Sequence, residues 1–260
     1  MSILSATRRT RRGERGLTIA FALLCGVVQL RGQGGPPMIT DDPGTPGPNK
    51  WEINLAVAFE HRSSGTSWDL PAIDLNYGVG ERIQLTLQTA PVLLKRNDGG
   101  PIGGLGGTEA ALKWRFLDEE QNGISVSTFP RVIFNVLQSS VRRGLSEDGT
   151  RAQLPVQVAK TFGIFDLDFE WGPLVSTIGR SEWLYGIVGG VELNKTTKLM
   201  AELHGTSRIS FDDDVLAVNF GVRQTITDHC IFIGSLGHEV RASNDDPLAF
   251  IGYIGMQLLY

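Results

Sequence analysis

The sequence has very little cysteine and almost no long apolar run. Of its 260 residues only Cys25 and Cys230 are cysteine. Because Cys25 lies in a predicted N-terminal export signal, the mature chain keeps one cysteine, and no intramolecular disulfide is expected. Beyond that signal there is no apolar run of about 18 residues, the length that indicates a transmembrane helix. Any part of the chain that spans a membrane is therefore expected to be β-structure.

Residues 1–33 have the organisation of a cleaved secretory signal. A basic stretch from Arg8 to Arg15 precedes a mostly apolar run from Leu17 to Leu30. That run is shorter than the roughly 20 residues of a membrane-spanning helix but suits a signal peptide. Its removal takes away six arginines and one glutamate, so the formal charge moves from −4 to −9. An acidic chain is a poor candidate for a nucleic-acid partner.

The sequence also lacks the common signatures of catalysis and of cofactor or metal binding. Its four histidines have no zinc-ligand spacing, and the Gly99–Gly107 stretch lacks the Lys-Ser/Thr pair of a phosphate-binding loop. His61-Arg62-Ser63 could combine a base with a nucleophile, which leaves a membrane-embedded lipid hydrolase as a distant alternative. No enzyme activity, cofactor or metal is predicted.

What the chain does have is period-2 alternation. Trp51, Ile53 and Leu55 alternate with Glu52 and Asn54, and similar patterns recur along the chain. One apolar and one polar face on each segment indicate half-buried strands. About twelve strands are predicted, near 51–60, 69–78, 82–94, 108–117, 124–136, 153–162, 165–175, 183–193, 198–206, 215–225, 230–238 and 248–260.

The connections between these strands alternate between short and long. Short turns alternate with long, polar or Gly-rich loops on the other side, which is typical of outer-membrane barrels. The long connections are predicted at 61–68, 95–107, 137–152, 176–182, 207–214 and 239–247. The pattern predicts an all-β, antiparallel, up-and-down transmembrane β-barrel over 51–260. Residues 34–50, rich in proline and glycine, are predicted to be an extended periplasmic leader.

The last strand carries a separate signal. Residues 249–260 alternate up to the terminal aromatic Tyr260, a pattern that resembles the assembly signal of bacterial outer-membrane barrels. Seven aromatics share the apolar parity and lie mostly near strand ends, where interfacial girdles are found. They are Trp51, Phe59, Phe116, Phe165, Trp171, Trp183 and Tyr260. The predicted location is the bacterial outer membrane, with its lipid and its assembly machinery as partners.

Two short motifs support a family resemblance. Thr40-Asp41-Asp42-Pro43 precedes Trp51-Glu52, and Leu112-Lys113-Trp114-Arg115-Phe116 follows later. Together with the rhythm of strands and loops, they resemble the outer-membrane family named for the MetA pathway of phenol degradation. The resemblance implies a porin-type or transporter barrel and small organic compounds as solutes. It implies no catalytic residues.

The polar parity of the strands carries the candidate site. A charged inner face suits a water-filled pore, and it also suits an internal salt-bridge network in a closed barrel; both remain open. Asp166, Asp168 and Glu170 form a ladder with spacings of about 7 Å, which could favour cations. The pore-lining candidates are Glu52, Asp74, Glu109, Lys113, Arg115, Arg131, Asp166, Asp168, Glu170, Glu192, Glu202 and Arg223.

The favoured function from sequence is a porin-like channel for passive uptake of small solutes. A barrel of about twelve strands lies between the eight-stranded kind, which side chains fill, and open sixteen-stranded porins, so a narrow or partly plugged pore is expected. The alternative is a structural or surface-presenting barrel with a blocked lumen. The solute, pore radius, oligomeric state and gating are not determined by the sequence.

Overall fold

The computed structural model describes residues 35–211, 214–242 and 246–260. The predicted signal, residues 1–33, lies outside the described residues. Strands dominate, with two short helices, α1 (Glu119–Asn122) and α2 (Gln138–Arg143). The strands are β1 (Trp51–Arg62), β2 (Gly65–Val79), β3 (Ile83–Arg96), β4 (Ile102–Leu117), β5 (Ser125–Thr128), β6 (Arg131–Phe134), β7 (Arg151–Gln153), β8 (Val156–Phe162), β9 (Phe165–Ser176), β10 (Glu182–Glu192), β11 (Thr197–Arg208), β12 (Asp214–Thr227), β13 (Cys230–Arg241) and β14 (Leu248–Leu259).

These strands form one closed antiparallel barrel of twelve staves. Each stave pairs with the next one along the chain, and β14 pairs with β1 to close the ring. Two staves consist of two short strands each, β5 with β6 and β7 with β8, because Pro130 and Pro155 lie at the interruptions. Proline lacks the N–H that a ladder needs, so each stave breaks there. The predicted fold and the twelve predicted strands are confirmed.

The ladder stays continuous at both broken staves. β4 pairs with β5 and with β6, and β9 pairs with β8 and with β7. At the first break, the Leu112 N–H donates to the Pro130 carbonyl over 3.1 Å, and at the second the Leu154 N–H donates to the Pro173 carbonyl over 3.0 Å. The wall of the barrel therefore remains hydrogen-bonded across both prolines.

The two ends of the barrel differ as the loop pattern predicts, with two corrections. The turns at the periplasmic end are short. One of them is the two-residue turn Gly163–Ile164, in which Gly163 adopts a φ of 68° that favours glycine. On the outer side the predicted loop 61–68 is instead a hairpin, because β1 and β2 continue to a two-residue turn at Ser63–Ser64. Residues 95–107 are likewise mostly strand. A transmembrane strand needs only about 9–11 residues to cross the bilayer, so these strands extend beyond it on the outer side.

Burial is inverted relative to a soluble protein. Glu170 and Lys113 on the polar parity are almost fully buried, whereas Leu87 and Phe165 on the other parity are 47% and 57% exposed. A soluble barrel buries its apolar parity, whereas a membrane barrel turns that parity toward lipid. Five of the seven predicted girdle aromatics are exposed, namely Trp51, Phe116, Phe165, Trp171 and Tyr260. No helix in the described part of the chain is long and apolar enough to cross a membrane.

Tyr260 helps to close the barrel seam. Its N–H donates to the Trp51 carbonyl over 3.0 Å, and the Trp51 N–H donates to the Tyr260 carbonyl over 2.8 Å. The phenol ring stacks against His229 at 6.3 Å between centroids. The terminal residue therefore joins the first and last strands as well as ending the predicted assembly signal.

Deleting Tyr260 is expected to lower the amount of folded barrel in the outer-membrane fraction without blocking export. The deletion removes two seam hydrogen bonds and the terminal aromatic, while Tyr260→Phe keeps both and serves as the control. Heat-modifiable mobility on gels measures the folded fraction. A deletion variant that folds as well as Tyr260→Phe would mean that the terminal residue does not matter for assembly.

Candidate functional site: the occupied lumen

The lumen is occupied by the segment that precedes β1. Residues 35–48, here called the lumen segment, run inward from the periplasmic end, where Thr45 Oγ1 donates to the Glu81 carbonyl over 3.0 Å. Met38, Thr40 and Asp42 are buried. The prediction of an extended periplasmic leader is therefore wrong for these residues. With five prolines between 34 and 50, the segment forms neither strand nor helix. Two of its N–H groups, those of Gly35 and Met38, bond to carbonyls within the segment, and barrel side chains bind several of its other backbone groups.

Two lumen carboxylates accept hydrogen bonds from the backbone of the lumen segment. Glu202 on β11 accepts from the N–H groups of Ile39, at 3.2 Å, and Thr40, at 2.5 Å. Glu170 on β9 accepts from the Asp41 N–H at 3.1 Å. A charged acceptor strengthens such a bond roughly twofold over a neutral one. These carboxylates hold the segment at its innermost point.

Cations and a hydroxyl bind the carbonyls of the same segment. Arg223 on β12 donates to the Pro36 carbonyl over 2.6 Å, and Ser235 on β13 donates to the Pro37 carbonyl over 2.8 Å. Lys113 on β4 donates to the Asp42 carbonyl over 2.6 Å. Anchors therefore come from opposite walls of the barrel, so the segment crosses the lumen rather than lying along one side.

Asp41 is the centre of a buried ion-pair network. Its two carboxylate oxygens lie 2.8 Å from Lys113 Nζ and 3.3 Å from an Arg131 nitrogen. Arg131 also contacts Glu170 at 2.7 Å. Both cations flank the buried ring of Phe129, at 4.6 and 4.3 Å from its centroid, which adds a cation–π attraction. One residue of the lumen segment thus joins β4, β6 and β9.

Small barrel residues make room for the lumen segment. A methyl group on Gly186 would overlap the side chain of Thr40, and one on Gly221 would overlap the Met38 side chain. Met38 packs against Val188 and Met200, a small apolar contact in a polar lumen. The walls are therefore shaped to fit this segment closely, as well as charged to bind it.

Beside the segment, polar side chains of β1 to β3 line the periplasmic half of the barrel. Asn54 and Asn76 donate to the Asp74 carboxylate at 2.9 and 3.0 Å. Thr86 and Gln84 donate to the Asn76 oxygen at 2.6 and 2.8 Å. A cavity of only about 30 Å³ remains in this region. The lumen segment and this hydrogen-bond network, in which Asn54 Oδ1 has no partner among the described residues, together fill the periplasmic half of the lumen.

Above the segment the lumen opens into a larger outer cavity of about 380 Å³. Its wall is formed by the outer parts of β1 to β4 and of β14, by β6 and β7, and by the connection that carries α2. Leu145 from that connection is buried and covers part of the cavity. No residue of the lumen segment lines this cavity, which lies in the outer half of the barrel.

The ladder that the sequence indicates is largely neutralised. Asp166 lies 2.9 Å from Lys198 Nζ, and Glu170 is paired with Arg131. Asp168 is fully buried, and no described residue hydrogen-bonds to either of its oxygens. The ladder is therefore part of an internal charge network, with Asp168 as its unpaired member among the described residues.

The twelve candidate residues fall into three groups. Lys113, Arg131, Glu170, Glu202 and Arg223 contact the lumen segment. Asp74, Asp166 and Asp168 are buried in the lumen, and Glu52 and Glu109 are half-buried on the same face. Arg115 binds Asp118 at the periplasmic rim, and Glu192 is exposed there. Sequence reasoning missed Asp41 and Asp42, which lie outside the strands, and Lys198, which shares the parity of Glu202.

The candidate hydrolase residues do not contact each other. Ser63 Oγ donates to Asp246 over 2.6 Å, whereas His61 Nδ1 lies 2.8 Å from Thr66 Oγ1. The hydrogen bond from the Ser63 side chain lowers the pKa of the Asp246 carboxyl in this outer turn, and the hydrogen bond from Ser64 lowers it further. Here Ser63 anchors a loop to a neighbouring one.

Comparison with known proteins gives structural matches only. No protein-family model matches the chain, and no curated protein sequence does so. An outer membrane channel from Pseudomonas putida F1 matches with a TM-score of 0.62 and 14% identity over 82% of this chain and 96% of that one. The KdgM porin matches with a TM-score of 0.55 and 9% identity, over 80% of this chain and 98% of that one.

A third structure, the NanC porin, has a TM-score of 0.54 and 10% identity over 79% of this chain and 99% of that one. The KdgM porin was also solved in complex with disordered oligogalacturonate. At such low identities these matches establish the fold, that of a bacterial outer-membrane β-barrel. The resemblance to the phenol-pathway family stays a prediction.

Proposed function

We propose that this protein is a passive outer-membrane channel for small solutes, closed at rest by its own lumen segment. The observation that carries the proposal is the way the segment is held. Several charged side chains from different strands bind one short, irregular piece of chain inside the lumen. Such a segment can leave without unfolding the barrel, because it contributes no strand to the sheet.

The chemistry of the contacts supports a reversible closure. The lumen segment is held mostly by hydrogen bonds and ion pairs, which water can replace, and only Met38 makes a buried apolar cluster. Polar groups that leave a site recover hydration, so the net free energy of their release is modest. Similar folds include porins, one of them solved with a sugar polymer, which supports passage of solutes through barrels of this architecture.

A blocked barrel that presents loops is the second candidate, and the same segment favours it. If the segment never leaves, the barrel has no path and its outer hairpins are the functional surface. Recording of the refolded protein in planar bilayers separates the two. Conductance steps support the channel, and silent bilayers with folded protein present support the blocked barrel.

Asp41→Asn is expected to increase the time that the channel spends open. The change removes the ion-pair partner of buried Lys113 and one ion-pair partner of Arg131. Removing one member of a buried pair destabilises by about 3–5 kcal/mol, and each 1.4 kcal/mol corresponds to about tenfold in an equilibrium. Even after discounting for hydration, we expect the open fraction in single-channel records to rise at least about tenfold.

Asp214→Asn is the matched control, because it makes the same change in an exposed ion pair with Arg241 in the outer part of the barrel. It should leave the open fraction unchanged. Equal effects of the two substitutions, or none from Asp41→Asn, would contradict closure by the lumen segment.

A further inference from the structure

The outer cavity combines an apolar wall with an excess of carboxylates. Ala58, Val92, Ile133, Leu145 and Ile251 supply the apolar surface. Four acidic residues also line the cavity, Glu60, Asp69, Glu147 and Asp148, against a single cation, Arg151. The cavity volume of about 380 Å³ lies within the range of small-molecule sites, roughly 300–1,000 Å³.

The charges on this wall are only partly neutralised. Arg151 forms an ion pair with Glu147 over 2.7 Å. Glu60 lies 3.6 Å from Arg62, in a pair whose side chains are 51% and 34% exposed, so this attraction is weak. No side-chain hydrogen bond or ion pair from the described residues reaches Asp69. Arg143, the next cation along the α2 connection, donates to the Gly103 carbonyl and does not line the cavity.

The register places Glu60 and Asp69 side by side. Glu60 pairs with Ser67, and Ala58 pairs with Asp69, so the two carboxylates are diagonal neighbours on the inner face of β1 and β2. Like charges at neighbouring positions destabilise a strand pair. A cation that binds between them would remove this repulsion, and the apolar wall beside them would contact an apolar body.

We propose that the outer cavity binds small organic cations, namely primary ammonium compounds with a compact apolar body. The ammonium group would lie at Asp69 and Glu60, and the hydrocarbon part against Val92, Ile133 and Ile251. An inorganic ion fits less well, because apolar side chains lie beside the two carboxylates and no group of three or more metal-ligating side chains exists among the described residues. This inference rests on the proposed channel function and names its solute class.

The test uses three probes of the same shape: cyclohexylammonium, cyclohexanol and cyclohexanecarboxylate. Binding is measured by calorimetry on the full-length mature barrel in lipid nanodiscs, with empty nanodiscs as the blank for partitioning. We expect the ammonium probe to bind at least tenfold more tightly than the alcohol, and the carboxylate not to bind. Raising the salt concentration should weaken the ammonium probe selectively, because screening reduces its attraction to the carboxylates.

Asp69→Asn should weaken binding of the ammonium probe about fivefold or more and leave binding of the alcohol unchanged. The matched control is Glu81→Gln, which removes one carboxylate at the opposite, periplasmic end and should have no effect. Equal affinities for the ammonium and the alcohol would overturn the proposal, as would an Asp69→Asn variant that binds like wild type. Full competition by Mg²⁺ at lower concentration than the ammonium probe would also overturn it, in favour of an inorganic cation.

Bilayer recordings on the same preparations separate this inference from the channel function. Conductance without selective ammonium binding rejects the solute class alone. Selective binding by a barrel that never conducts, including after the Asp41→Asn change, rejects the channel but keeps the site.

Discussion

Removal of residues 36–44 is expected to raise the single-channel conductance several-fold and to keep the channel open. The lumen segment occupies the barrel at the level of Glu170 and Glu202, so its loss leaves space there for water and solute. The barrel should still fold, because residues 36–44 lie outside every strand and contribute nothing to the β1–β14 seam. The side chains that it leaves behind, including Lys113 and Arg131, would become hydrated in a wider lumen.

The control is a variant in which residues 36–44 are replaced by a Gly/Ser sequence of equal length. It keeps the chain inside the barrel mouth but removes the ion pairs and the Met38 contact. We expect intermediate behaviour, with flickering between small and large conductance. A deletion variant that conducts no better than wild type would exclude the segment as the constriction, and one that folds but never conducts would favour the blocked barrel.

Leu55→Arg is expected to destabilise the barrel in lipid by about 2–4 kcal/mol, the range for a charge at the bilayer midplane. Leu55 is 40% exposed on the outer face, and its register neighbours Ile73 and Met256 face the same way. The arginine would therefore lie in hydrocarbon among apolar side chains. Urea unfolding in lipid vesicles, followed by tryptophan fluorescence, measures the change.

Ala58→Arg on the same strand is the matched control. Ala58 has the inward parity and lines the outer cavity, where water and nearby carboxylates can receive a guanidinium group. A loss well below that of Leu55→Arg is expected. The inward neighbour Asn54 would be a poor control, because it is fully buried and bonded to Asp74. If Ala58→Arg were the more damaging change, the apolar face would be the protein core and the membrane assignment would be wrong.

Strand positions and faces were predictable because they depend on local pattern. Alternation such as Asp166-Leu167-Asp168-Phe169 specifies both a strand and its two faces, since successive side chains of a strand point in opposite directions. The same parity argument placed Glu202 and Arg223 inside. It was less useful for the outer ends of β1 and β2, where polar residues continue as strand above the bilayer and were mistaken for a loop.

The position of the lumen segment could not be predicted in this way. A stretch rich in proline and glycine has no period, so nothing local separates an extended leader from a plug. Its anchors are far apart in sequence: Asp41 meets Lys113 72 residues away, and Ile39 meets Glu202 163 residues away. The one local hint is the pair Asp41-Asp42, two carboxylates in a chain whose inward face also carries several cations.

By itself, the sequence determined that this chain is a barrel of about twelve strands with lipid outside and charge inside. Alternation and turn residues act locally, so they can be recognised in short stretches of sequence. The membrane requires a closed β-structure, which applies to the whole sheet at once. Whether the charged lumen is open or occupied was decided only by the tertiary structure. The pairing of Asp41 with Lys113 and Arg131 exists only once β4, β6 and β9 stand around the same axis, because ring closure brings together charges that no sequence period relates.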